Sequence, residues 1–178
     1  KKCDLEVDRI VLDPISNSEA ILTQEDKDGG VCLIDFGAGV TSYSVFQEEG
    51  IVRSGVISMG GDDITQEIAF AFDTSLEEAK RLKENYGCAK PSVIKDEKFV
   101  EFLQATSKDS HSLSNLQLSE VIEQAYVDIL SILKNELRHH NLEANIKSGF
   151  VLCGGGAQAL GCQELVREFF TRRAKIGV

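Results

Sequence analysis

The sequence predicts an α/β protein, and three observations carry that expectation. Branched or alternating runs at 31–35, 41–47, 51–58 and 149–153 have the length and composition of strands. Amphipathic runs with 3.6-residue periodicity separate the third of these from the fourth. Glycine turns stand at strand ends, at Gly37–Gly39, Gly60–Gly61 and Gly154–Gly156. With 178 residues, 42% of them hydrophobic, the chain is long enough for one large domain or two small subdomains with a proper core.

Taken in order, Val7 to Leu12 alternate enough for a strand, which Asp13-Pro14 stops. Pro14 suits the first turn of a short helix, 15–22, because its missing N–H would be unpaired there anyway. TQEDKDGG reads as a charged loop. The strands at 31–35, 41–47 and 51–58 are joined by FGAG and EEG, and connections this short predict an antiparallel meander. GGDDITQEIAFAF starts a helix with Ile64, Ile68 and Phe72 at fourfold spacing, and Asp62 and Asp63 complement its dipole. Ser75 with Glu78 has the spacing of a capping box for a second helix ending near Gly87.

From Pro91 the pattern weakens. KFVEFLQ fits a strand or a helical turn, and ATSKDSHSLSN reads as polar loop. Ser114 with Gln117 makes another capping box before a long helix with Leu118, Val121, Ile122, Ala125, Ile129, Ile132, Leu133 and Leu137 on its apolar face. GFVLC is a buried strand running into a triple glycine, and CQELVREFFTRR is the closing helix. No internal repeat or low-complexity tract interrupts this order.

Nineteen basic against twenty-nine acidic residues give a net charge of −10, which repels nucleic-acid phosphates and anionic lipid. Binding of DNA, RNA or a bare membrane surface is therefore not expected. The five cysteines form no CxxC pair and have no histidine at a ligand spacing, so they are expected to be packing residues in a reducing cytosol. No run approaches the roughly 20 apolar residues that span a bilayer, and no signal peptide is visible. Because Lys1 and not a methionine opens the chain, a fragment is expected.

Asp35-Phe-Gly37-Ala-Gly39-Val-Thr41 is the first candidate site. Its glycines permit a tight hairpin with uncovered backbone N–H groups, an arrangement that cradles phosphate. An acid beside such a loop repels phosphate unless a Mg²⁺ and its waters intervene. Taken alone, an ordinary glycine hairpin explains the same residues. The second site is Gly154-Gly155-Gly156-Ala157 after a strand, where backbone can approach a ligand closely; no Rossmann GxGxxG is present, and a helix-packing turn is the plain alternative. Gly60-Gly61 and the basic stripe Lys80, Arg81 and Lys83 complete the candidates, the stripe being equally a solvated helix face.

In combination the order is more specific, and it resembles the actin/Hsp70 superfamily of ATPases. VLDPISNSEAIL resembles the superfamily's first connecting helix, IDFGAGVTSYSV its second phosphate loop and FVLCGGGAQALG its adenosine motif. Within the superfamily, MGGDDITQEIAFAFDTSLEEAKRLKENYGCA is most similar to the FtsA family of bacterial cell-division proteins, as is the long helix opening LSEVIEQAY. The resemblance covers nearly the whole chain and implies the second half of such a protein. A mixed five-stranded actin-like (ribonuclease H-like) sheet with flanking helices is then expected from 1–60 and 147–178, with a smaller α+β subdomain, 61–146, inserted between them.

The resemblance further implies ATP and Mg²⁺ as cofactors. Asp35 would hold the magnesium through water, and Gly37, Ala38, Gly39 and Val40 would form the phosphate loop. Val40 stands where many relatives have threonine, with Thr41 one step on. Gly61, Lys80, Lys83 and Glu84 would face the adenosine, although relatives often carry glutamate in place of Lys80. Gly154, Gly155, Gly156 and Ala157 would let ribose and base approach. No catalytic residue is assigned, because the superfamily closes the cleft with a first phosphate loop not found in this chain.

As partners the resemblance implies the C-terminal tail of FtsZ, docking on 61–146 with Lys134 and Arg138 as candidate contacts. It also implies other division proteins and self-association into filaments. The expected location is the cytoplasmic face of the inner membrane at the division site, reached through a segment not found here. A chaperone-type or pilus-assembly ATPase of the same superfamily is the alternative.

Overall fold

Four of the five expected strands, Val31–Phe36 (β1) at their centre, form one sheet in the computed structural model, which describes residues 6–48, 50–107 and 109–177. β1, Thr41–Gln47 (β2) and Gly50–Ile57 (β3) form the antiparallel meander. Gly149–Cys153 (β6) lies parallel to β1 on its other side, and Ala174–Ile176 (β7) extends the sheet parallel to β6. The order β3-β2-β1-β6-β7 is the mixed five-stranded sheet expected. Phe99–Leu103 (β4) and Ser110–Ser114 (β5) make a separate antiparallel pair.

The helices are Asp13–Ile21 (α1), Gln24–Gly29 (α2), Gly61–Ala71 (α3), Leu76–Tyr86 (α4), Asn115–His139 (α5) and Cys162–Phe170 (α6). One sheet face, carrying Cys32, Ile34, Tyr43, Val45 and Leu152, shares a continuous core with Ile64 and Ile68 of α3, the buried stripe of α5, and Val100 and Phe102 of β4. Each fully buried leucine on α5 stabilises that core by about 2 kcal/mol. The other face packs Val31, Leu33, Phe46 and Val151 against Ile21 and Leu22 at the end of α1.

Several expectations need correction. Residues 7–12 form no strand: Ile10 is 90% exposed and no described segment supplies a ladder partner, without which alternation has nothing to pair. The 23–30 stretch is helical at α2, held by a capping box between Thr23 and Asp26. Ser75 Oγ accepts from the Glu78 N–H, but the Glu78 carboxylate binds Arg81 instead of returning the bond, so only half a box forms. KFVEFLQ contains β4, and the polar stretch after it contains β5, a strand made by pairing and not by composition. On α5, Ile132 is exposed, while Tyr126 and Leu130 are buried. The closing helix ends at Phe170, where Thr171 turns left-handed and releases the chain into β7.

Cys32, Cys88, Cys153 and Cys162 are free and buried, and Cys3 lies outside the described residues. Burial pushes the Cys153 and Cys162 thiols up to about 12, so they are not thiolates at neutral pH. Among the described residues no group of three or more His, Cys, Asp or Glu side chains could hold a metal. No described helix is long and apolar enough to cross a membrane.

Candidate nucleotide cleft

Because β1 and β6 are parallel neighbours, with Asp35 opposite Cys153, their C-terminal ends lie side by side. This brings the 37–40 hairpin against the 154–157 turn, more than a hundred residues away in the chain. In open α/β sheets the crevice outside such strand ends is where ligands bind. A cleft of about 1050 Å³ opens there, lined in part by Gly37, Ala38, Gly61, Lys83, Gly155 and Gly156. Its size is at the upper end of ordinary ligand pockets. Lys80 and Glu84 also line it, whereas Asp35, Gly39, Val40 and Gly154 belong to the two turns without being part of the lining and Ala157 is buried in the core.

Backbone bonding decides which amides of the two turns are left unpaired. The carbonyls of Gly37 and Ala38 turn away to accept from the N–H groups of Gly61 and Asp62, at 3.0 and 2.8 Å, which staples the hairpin to the start of α3. The Gly37 N–H is used inside the turn, donating to the Asp35 and Val40 carbonyls, so the phosphate-facing role implied for it is not open. The N–H groups of Ala38, Gly39 and Val40 donate to no protein acceptor among the described residues, nor do those of Gly155 and Gly156. Successive unpaired amides of this kind form an anion-binding concavity.

The glycines divide in the same way. At Gly37, Gly154 and Gly156 the protein itself forbids a side chain: a Cβ would meet the Val40 carbonyl at 2.7 Å, Asp35 Oδ1 at 2.3 Å and Phe36 Cβ at 2.8 Å. Gly154 is also left-handed, at φ +82°. At Gly39 and Gly155 an added Cβ meets nothing within 4 Å, and at Gly61 nothing closer than 3.6 Å. None of these three has a positive φ, so neither packing nor backbone conformation calls for glycine there. At these three positions the backbone is open to a close approach.

The side chains are more committed than their positions imply. Lys83 donates to the Gly61 carbonyl and to Thr65 Oγ1, tying α4 to α3, and burial pulls its pKa down despite Asp62 and Glu84 nearby. Two of its three donors are thus occupied. Lys80 and Glu84 form an exposed pair at 3.9 Å. Thr41 is buried and gives its hydroxyl to the Met59 carbonyl, so it does not replace a phosphate-loop threonine. Asp35 accepts from Asn17 Nδ2 at 2.9 Å.

Tyr126 and Thr65 were not singled out from sequence, although both fall one helical turn after a named residue, Ile122 and Gly61. Tyr126 sets the 154–157 turn by donating to the Gly156 carbonyl at 2.8 Å while its ring packs edge-on against Phe36 at 5.4 Å. Lys134 and Arg138 lie towards the far end of α5, away from the cleft lining: Lys134 sits 5.0 Å over the Phe169 ring and Arg138 pairs with Glu143 at 3.2 Å.

This donor set fits a nucleotide with a hydrated magnesium. The uncommitted amides suit phosphate oxygens, bare glycine surface suits ribose or base, and the Asp35 carboxylate at the base of the hairpin suits a metal that keeps most of its waters.

Comparison with known proteins agrees with this architecture. The family model "Cell division protein FtsA" matches residues 32–178. The FtsA of Pseudomonas aeruginosa is 33% identical over 178 residues, covering 100% of this chain and 43% of its own length. Among solved structures, MreB5 of Spiroplasma citri bound to AMPPNP superposes with a TM-score of 0.76 at 18% identity, over 90% of this chain and 52% of that one. A PilM–PilN type IV pilus biogenesis complex superposes at 0.66 and 19% identity, over 94% of this chain and 42% of that one. The chain thus spans less than half the length of the relative it matches, its fold is the actin-like ATPase fold, and it belongs to the FtsA family of cell division proteins.

Proposed function

We propose that this chain forms one wall of an ATP–Mg²⁺ cleft in an actin-like cell-division protein. The observation that carries the reading is the set of five unpaired amides in two neighbouring turns, those of Ala38, Gly155 and Gly156 on the cleft lining, together with three glycines, Gly39, Gly61 and Gly155, that the protein's own packing does not require. The amides of Ala38, Gly39 and Val40 hold phosphate, Gly155 and Gly156 admit the nucleoside, and Asp35 meets the metal's water shell. When bound, magnesium supplies charge neutralisation between the carboxylate and the phosphates; the chain's own part is to bind and orient.

In this reading residues 1–60 and 147–178 are the sheet subdomain, and 61–146 is the docking subdomain for the FtsZ C-terminal tail. The intact protein forms filaments and sits at the cytoplasmic face of the inner membrane at the division site, together with other division proteins. Lys134 and Arg138 are the candidate tail contacts. Each is already half-satisfied, on Phe169 and on Glu143, so the association is weak and salt-sensitive, with micromolar affinity or roughly 8 kcal/mol.

Titration with a fluorescent ATP analogue, with and without Mg²⁺, tests the cleft. Saturable, magnesium-enhanced binding that Asp35→Ala removes is the expected result, and magnesium-indifferent binding overturns it. Titration with an FtsZ tail peptide at low and moderate salt tests the partner: saturable binding that weakens with salt is expected, and no binding even at high micromolar protein is the opposing result.

A further inference from the structure

The Asp35 carboxylate is confined from two directions. Oδ2 accepts from Asn17 Nδ2 at 2.9 Å across the gap between β1 and α1. Oδ1 lies against the bare backbone of Gly154, where a Cβ would stand only 2.3 Å away. Asp35 is half-buried, and among the described residues no Lys, Arg or His forms an ion pair with it. One neutral amide donor satisfies only one of about four lone-pair sites on a carboxylate, and it leaves the charge uncompensated.

Asn17 is also a local misfit. It occupies the middle of the nine-residue helix α1, where asparagine is a poor helix former that ordinarily bonds to its own neighbouring backbone. Here its amide reaches 18 residues along the chain to an acid on the sheet instead. A lysine or arginine in that place would cancel the carboxylate's charge. An amide fixes direction and keeps the charge, which is what a group meant to face a cation requires. Such breaches of local preference concentrate where a site is being held.

We propose that Asn17 is a positioning residue for the magnesium of the bound nucleotide, acting through Asp35; this rests on the reading of Asp35 given above. α1 thereby becomes part of the metal site although it contributes no lining to the cleft.

The test uses the intact protein, any further domain included, and measures the affinity of a fluorescent ATP analogue across a Mg²⁺ titration and in EDTA. Asn17→Leu, similar in size but without a donor, should raise the apparent Mg²⁺ concentration for half-maximal enhancement about tenfold, the usual scale for losing an outer-shell partner. Affinity in EDTA should stay within about twofold, and the urea midpoint should fall only modestly, because the better helix propensity of leucine partly offsets the donor lost to the half-buried carboxylate. If Asn17→Leu does not fold, Asn17→Ala is read by the same criteria. A magnesium enhancement left intact in the Asn17 variant but abolished in Asp35→Ala overturns the proposal alone. Equal loss with and without Mg²⁺ also overturns it, by making Asn17 merely structural. An enhancement that survives Asp35→Ala overturns the underlying reading.

Discussion

The hairpin after β1 and the turn after β6 look alike in sequence, yet neighbouring glycines in each exist for opposite reasons. In the first, Gly37 is demanded by the Val40 carbonyl while Gly39 borders open space. In the second, Gly154 and Gly156 are demanded by Asp35 and Phe36 while Gly155 between them borders open space. In each turn the glycines held by the chain fix the path of the backbone, and the unconstrained one faces outward. A glycine-rich motif is therefore two patterns superimposed, one serving the fold and one serving whatever enters the cleft.

The sharpest way to break this comparison is Gly154→Ala. The substitution must place a Cβ at φ +82° and within 2.6 Å of the Phe36 carbonyl, so a loss of about 3 kcal/mol is expected from urea unfolding. Gly155→Ala, one residue on, should leave stability within about 0.5 kcal/mol while weakening binding of an ATP analogue by tenfold or more. Equal instability in the two variants would erase the distinction between them.

Tyr126→Phe sharpens the comparison more gently. It deletes the bond to the Gly156 carbonyl but keeps the ring on Phe36, so a loss of about 1 kcal/mol is expected, with the second turn loosened and the first unaffected in amide exchange. The smallest effect lies on the edge strand β7. Burial alone would raise the Asp26 pKa, but bonds from Lys175 and Thr23 outweigh it and hold the carboxyl below its ordinary 3.8. The stabilisation is then fully present above that value and is lost as pH falls through the lower folded pKa. Lys175→Met should flatten this acid limb of the urea-midpoint profile, cost well under about 1 kcal/mol at pH 7, and leave both turns unchanged.

Legibility from sequence followed the strength of local signals. β2 matched the expected 41–47, and α5 began behind its expected cap, because alternation and capping are local properties. α2 and β5 were hidden by polar composition, since one rests on a capping box and the other on pairing with β4. The three-residue β7 carries too little pattern to read and exists by pairing with β6. Conversely, 7–12 carries a strand's alternation without a strand's partner.

The sequence by itself determined the first three strands of the sheet, the caps of the long helix, the two glycine turns and the family they belong to, because each is encoded within a few consecutive residues. Tertiary structure alone decided that β6 lies beside β1, and hence that the two turns share one cleft. It also decided that the Gly37 amide, the Thr41 hydroxyl and most of the Lys83 ammonium are spent on the protein itself. Which donor remains unpaired depends on partners brought from distant parts of the chain, and no local pattern records them.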